Sequence, residues 1–198
     1  MRFPRSSLVE FAKRAVQKGL LVGPEGNLSV RIKGQVFITP AGVPKEDLRP
    51  EEIAVVDLEG KLLEGKRPSS EIKMHLHLYT NQPEAKAIFH AHPSFTLALD
   101  LSGENFSQFY LPEALIYLRR IAKVPPLKPG SEELAANVAQ KAKEAQVIIL
   151  SRHGAVTFGK DLAEAFNLML VLEKISRVTW LAKALKEDLV PLFNDFSS

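Results

Sequence analysis

Five histidines occur in the 198 residues. Two of them, His90 and His92, close the apolar run Ala87-Ile88-Phe89-His90-Ala91-His92-Pro93. Side chains two apart on an extended strand point to the same side, so both imidazoles can be presented to one point. That is half of a metal site, because a catalytic zinc takes three protein ligands and keeps one position open. Among His75, His77 and His153, the last stands out: Val147-Ile148-Ile149-Leu150 reads as a buried strand that delivers Ser151-Arg152-His153-Gly154 at its end. Glu71 and His75 are four apart in a helical segment and share a face. Three further stretches, Gly26-Asn27, Thr39-Pro40-Ala41-Gly42 and Ser69-Ser70, carry small or hydroxyl residues in loops and at a helix start. Such positions suit phosphate, since unsatisfied amides and the helix dipole both favour an anion. Taken singly, each is also an ordinary turn or helix cap.

Alternating structure must position these groups. Leu8, Phe11, Ala12, Ala15 and Val16 follow helical spacing behind Ser6 and Ser7, which predicts a serine-capped helix over about 7–18. Two hairpins follow, Val30-Arg31-Ile32 with Val36-Phe37-Ile38, and Ile53–Asp57 with Lys61–Glu64. Sequential strands of this kind pair antiparallel. A helix opens at Ser69-Ser70-Glu71 and stops at Asn81-Gln82-Pro83, and the two-histidine strand comes next. Ser94 is expected to cap a short helix, a further helix covers about Pro112–Arg120, and Ile121–Val124 reads as a strand. Ser131 caps a helix bearing Leu134, Val138 and Ala142, and Asp161 caps a long apolar helix to about Leu185. The economical architecture is one α/β sheet with helices on both faces.

Composition narrows the function classes. The formal charge of +3 comes without any Lys/Arg block, so no nucleic-acid footprint is expected. With no cysteine, disulfides, thiolate zinc sites and thiol nucleophiles are excluded. No apolar run approaches 20 residues and the first residues have no signal-peptide pattern, so no membrane partner is expected and a cytoplasmic location is the default.

Taken in order, Gly26-Asn27-Leu28-Ser29, Thr39-Pro40-Ala41-Gly42, Pro68-Ser69-Ser70-Glu71 with His75, His90-Ala91-His92 and His153-Gly154 resemble the class II aldolase/adducin family over nearly the whole chain. The resemblance implies a three-layer α/β/α fold with a mixed, mostly antiparallel sheet, one domain over 1–198, and a homotetramer with sites at subunit interfaces. It implies His90, His92 and His153 as zinc ligands, and Glu71 as a ligand of the resting metal that is released to act as catalytic acid/base. It makes Asn27, Gly42, Ser69 and Ser70 the substrate's phosphate cradle. The implied partner is a phosphorylated sugar. The implied reaction is reversible cleavage of a ketose 1-phosphate, L-fuculose 1-phosphate foremost, into dihydroxyacetone phosphate and an aldehyde such as L-lactaldehyde. Nitrogen and oxygen donors without sulfur favour zinc and also accept Mn2+, Co2+ or Fe2+.

Some positions depart from the pattern. Family members that cleave fuculose phosphate use one loop tyrosine and one tail tyrosine at the aldehyde half of the substrate. The tail here, Leu189–Phe196, has none. Tyr110 and Tyr117 are the loop candidates, with core packing the preferred reading for Tyr117. His75 is expected to support the site by hydrogen bonding, and His77 reads as a plain helix residue. A methylthioribulose-phosphate dehydratase or a sugar-acid phosphate decarboxylase would keep the same motifs. A ribulose-phosphate 4-epimerase would carry Asp in place of Glu71, and a non-catalytic adducin-like binding module would lose ligands that are present here.

Overall fold

The computed structural model describes residues 2–185 and 189–191. Eight strands form one sheet: β1 (Asn27–Ile32), β2 (Gln35–Ile38), β3 (Ala54–Val56), β4 (Leu62–Glu64), β5 (Ala87–Ala91), β6 (Ile121–Val124), β7 (Val147–Leu150) and β8 (Gly154–Gly159). Their spatial order is β4-β3-β2-β1-β5-β8-β7-β6. All neighbours pair antiparallel except β6 and β7. Among the described residues the α-helices are α1 (Arg2–Gln17), α2 (Ile72–Asn81), α3 (Ser94–Leu101), α4 (Glu132–Lys141) and α5 (Leu162–Leu185).

Alternation along the strands sorts side chains into two layers. Leu28, Phe37, Val55, Phe89 and Ala155 face α1 and α5, where Phe89 and Phe11 both pack on Phe166. Val36, Ile38, Val56, Ile88, Ile148 and Val156 face the α2 and α4 layer with Met74, Leu78, Leu134 and Val138. Burying a large apolar side chain stabilises by about 1.5–3 kcal/mol, so both layers are held firmly to the sheet. The same alternation puts His90 on the α2 side, because its neighbours Phe89 and Ala91 belong to the opposite core.

Both hairpins, α2, the Ser131-capped α4 and the Asp161-capped α5 match the sequence reading. Two caps do not. Helix α1 begins at Arg2, so Ser6 and Ser7 lie inside it. Pro4 is tolerated there because the first amides of a helix have no partner within it. Arg5 ties this early turn down by donating to the Ile53 carbonyl at 2.7 Å. Ser94 is the first residue of α3 rather than its cap, and the free amides of Phe95 and Thr96 are taken by Glu173 of α5 at 2.9 and 3.0 Å. The helix expected over Pro112–Arg120 is a five-residue π-helical piece, Ala114–Leu118.

Candidate metal centre and active site

Strands β5 and β8 run antiparallel with His90 opposite Val156 and Ala91 opposite Ala155, so the end of one meets the turn that opens the other. That turn carries His153. Gly154 lets it close: a Cβ there would collide with the Ala91 carbonyl oxygen and approach the His92 ring at 2.8 Å. The three imidazoles pack with ring centroids 5.0 Å apart for His90 and His92, 4.9 Å for His90 and His153, and 5.2 Å for His92 and His153. One nitrogen from each lies within 4.8 Å of the others.

Hydrogen bonds from behind fix two of the rings. His90 Nδ1 donates to the Ala155 carbonyl at 3.0 Å, and His92 Nδ1 donates to Glu25 Oε2 at 3.2 Å. Both Nε2 atoms therefore turn inward, where they stand 3.2 Å apart. Glu71, the residue that opens α2, enters from the other side. Its Oε2 is 2.9 Å from His90 Nε2 and accepts from Asn27 Nδ2 at 3.0 Å. Its Oε1 is 3.5 Å from His153 Nε2, is buried, and has no hydrogen-bond partner among the described residues.

The electrostatics follow from burial and proximity. Burial alone would raise the Glu71 carboxyl, but His90 and the Asn27 amide outweigh it and hold the group below the usual carboxylate range. Burial lowers His90, His92 and His153; of these three only His90 ends up raised, because Glu71 stands against it. His153 is pushed down to about 4 by burial and by the positive His90, and His92 is lowered for the same reasons. Glu71 thus stands as a carboxylate among three imidazoles, with His90 the one whose protonation it favours. A cation at their centre would take over that compensation, and the three imidazoles, together with the Glu71 oxygen that has no hydrogen-bond partner among the described residues, are the donor set that zinc accepts.

Behind Glu71, strand and helix periodicities meet. Asn27 and Ser29 alternate on β1, while Glu71, His75 and Tyr79 recur every four residues along α2. His75 Nε2 donates to Asn27 Oδ1, so its Nδ1 is the acceptor for the Ser29 hydroxyl at 2.7 Å; Ser29 in turn accepts from Tyr79 at 2.8 Å. Burial holds the His75 imidazole at about 3, so it stays neutral in this chain. The chain fixes the Asn27 amide with nitrogen toward Glu71. His75→Leu removes the donor to a buried carbonyl and should destabilise the protein by about 1–3 kcal/mol, whereas His75→Gln keeps a donor in reach. Chemical denaturation checks this: equal midpoints for wild type and His75→Leu would refute it.

The proposed phosphate residues gather at the start of α2. The segments Thr39–Gly42 and Arg67–Ser69 lie side by side, with Ala41 donating to the Arg67 carbonyl at 3.1 Å and Ser69 to the Thr39 carbonyl at 3.2 Å. Gly42 has φ +71 and is exposed, Ser70 is exposed, and Ser69 is buried with its hydroxyl accepting from the Glu71 amide at 3.3 Å.

A family model for the class II aldolase and adducin N-terminal domain matches residues 6–180. This chain is a class II aldolase/adducin family member. An L-fuculose phosphate aldolase of Methanococcus maripaludis is 36% identical over 182 residues, covering 92% of this chain and 98% of that one. A 3-oxo-tetronate 4-phosphate decarboxylase of Escherichia coli K12 is 31% identical over 182 residues, covering 89% and 86%. The crystal structure of YgbL from Escherichia coli superposes with a TM-score of 0.89 at 30% identity, covering 96% of this chain and 93% of that one.

In this class II aldolase/adducin fold, sequence reasoning missed Glu25 and the Ser29 and Tyr79 links. The polar residues at 27, 29 and 31, alternating with apolar ones along β1, were a readable signal for the latter. One tyrosine departs from the expectation. Tyr117 is 57% exposed rather than packed in the core, because it lies on the outer side of the short π-helical piece. The Tyr110 hydroxyl is 3.4 Å from both Glu104 and Gln108. The tail segment 192–196, where no tyrosine occurs, lies outside the described residues.

Proposed function

We propose that this protein is a zinc-dependent aldolase that reversibly cleaves a ketose 1-phosphate, L-fuculose 1-phosphate in the first instance, to dihydroxyacetone phosphate and L-lactaldehyde. The observation that carries the reading is the convergence of His90, His92 and His153 on the buried Glu71 carboxylate, next to a ledge of amides and hydroxyls. His90, His92 and His153 would hold the metal, with Glu71 as its resting fourth ligand. Once bound, a divalent cation supplies Lewis-acid stabilisation of the charge that develops on the substrate's oxygens. Glu71 then moves the proton at the substrate carbon where the bond breaks, a carboxylate doing the work that needs no Schiff-base lysine. Asn27, Gly42, Ser69 and Ser70 hold the phosphate at the positive end of α2, which converts binding into orientation at the reacting carbons. One domain over 1–198, a cytoplasmic location and a homotetramer with sites between subunits belong to the same proposal, and the resemblance of the motifs supports them.

A second reading has its own support. A sugar-acid phosphate decarboxylation leaves a similar charge on the substrate and uses the same phosphate grip, but has no aldehyde to protonate. The absence of a tyrosine from the segment Leu189–Phe196 and the likeness to 3-oxo-tetronate 4-phosphate decarboxylase favour it. Incubating the zinc-loaded protein with fuculose, ribulose, rhamnulose and methylthioribulose 1-phosphates and with 3-oxo-tetronate 4-phosphate separates the readings. Dihydroxyacetone phosphate from fuculose 1-phosphate supports the first, and carbon dioxide from the oxo-acid with no aldol cleavage replaces it by the second.

The phosphate assignment predicts a split between binding and metal content. Ser69→Ala with Ser70→Ala should raise KM for the phosphorylated substrate by about 10- to 100-fold, the scale of one or two hydrogen bonds to a charged group. Bound zinc should stay unchanged. Steady-state kinetics read this, and an unaltered KM refutes the cradle.

A further inference from the structure

His153 stands at the end of a four-residue turn, Leu150–His153, closed by its own amide donating to the Leu150 carbonyl at 3.0 Å. The third residue, Arg152, has φ +59. Turns with a positive φ at that position favour glycine or asparagine, and any larger side chain there is strained. Something outside the turn must hold it. Asp100, 7% exposed, does so with both carboxylate oxygens. Its Oδ2 accepts from the Arg152 amide at 2.8 Å, and its Oδ1 accepts from the Ser151 hydroxyl at 3.2 Å. Lys123 of β6 stands 2.6 Å from the same Oδ1 and compensates the charge.

Asp100 lies in the last turn of α3, and α3 starts two residues after His92. The far end of α3 is fixed by Glu173, whose carboxylate takes the Phe95 and Thr96 amides and the Thr96 hydroxyl, the last at 3.0 Å. The helix therefore runs from the His90/His92 segment directly to the turn that carries His153, with carboxylates gripping both ends.

We propose that Asp100 is a positioning residue for the metal centre, and that α3 is a brace that sets the distance between the two-histidine strand and the His153 turn. Asp100 touches neither metal nor substrate; it acts by holding Arg152 in its strained conformation so that the His153 ring stays against His90 and His92. The proposal rests on His153 being a metal ligand, as in the function proposed above.

Zinc affinity of the purified apoprotein, measured by competition with a chromophoric chelator, tests it without reference to catalysis. Asp100→Ala should weaken zinc binding by about 10- to 100-fold, as loss of a group that orients a ligand typically does. Adding Arg152→Gly should recover much of that loss, because glycine adopts the positive φ without strain. His153→Ala is the control. Zinc affinity within twofold of wild type in Asp100→Ala, alongside a large loss in His153→Ala, overturns the brace while leaving the ligand intact. Failure of Arg152→Gly to recover any affinity also overturns it, since the loss would then be general rather than local to the turn. Undiminished affinity in His153→Ala overturns the ligand reading and the proposal with it. Should Asp100→Ala not fold, Asp100→Asn carries the same test, with a several-fold loss and recovery by Arg152→Gly expected and wild-type affinity refuting it.

Discussion

His92→Ala is expected to give a folded protein that binds zinc about 10²- to 10³-fold more weakly than the wild type and has lost its activity. His92 is the ligand candidate to remove first, because its side chain is 25% exposed and no buried cavity is left behind, whereas His90 is fully buried in the sheet. Zinc sites with four protein donors bind with roughly 10–16 kcal/mol in all, so one ligand accounts for about 3 kcal/mol and a loss near 10²- to 10³-fold. The remaining pair, His90 and His153, would keep Glu71 between them but would leave the metal two imidazoles. Zinc affinity by competition with a chromophoric chelator, with circular dichroism as the fold control, gives the answer. A full equivalent of tightly held zinc in a well-folded His92→Ala protein would show that the metal sits elsewhere.

Glu71→Gln should keep the fold and lose about 10²- to 10⁴-fold in kcat, the usual scale of a general acid/base. Glutamine retains the size of the side chain and an oxygen for the Asn27 amide, but it cannot accept a proton. The carboxylate it replaces sits beside His90 and is held below the usual carboxylate range, so it is ionised at neutral pH. Exchange of the enolisable proton of dihydroxyacetone phosphate with solvent isolates this step from carbon–carbon cleavage. Both rates should fall together. Wild-type exchange in the Gln variant would require another base and would leave Glu71 as a ligand alone.

Much of this site was legible because local rules place its parts. Period two along Ala87–His92 aims both histidines to one side, and period four along α2 aligns Glu71 with His75. The strand before His153 was evident from four consecutive apolar residues, all buried in the structure. What escaped the sequence are contacts between distant segments that no local pattern encodes. Glu25 reaches His92 across 67 positions, Asp100 reaches Arg152 across 52, and Glu173 caps α3 from 78 positions away. In each case a carboxylate from one element satisfies backbone amides or a ring N–H of another, and its identity as a partner appears only when the sheet has closed. The α1 start was missed for a different reason: serines are good caps in general, but here the helix had already begun behind a proline that its first turn tolerates.

The pairing of β5 with β8 also sets an order of events during synthesis. His90 and His92 leave the ribosome well before the segment that completes their cluster, since Ala155, which orients His90, lies 65 positions further on. Until β8 docks against β5 there is only a two-imidazole half-site, and such a half-site binds zinc weakly. The full set of three imidazoles therefore exists only once β8 has closed on β5, and tight coordination of a cation belongs to the closed sheet rather than to the emerging strand.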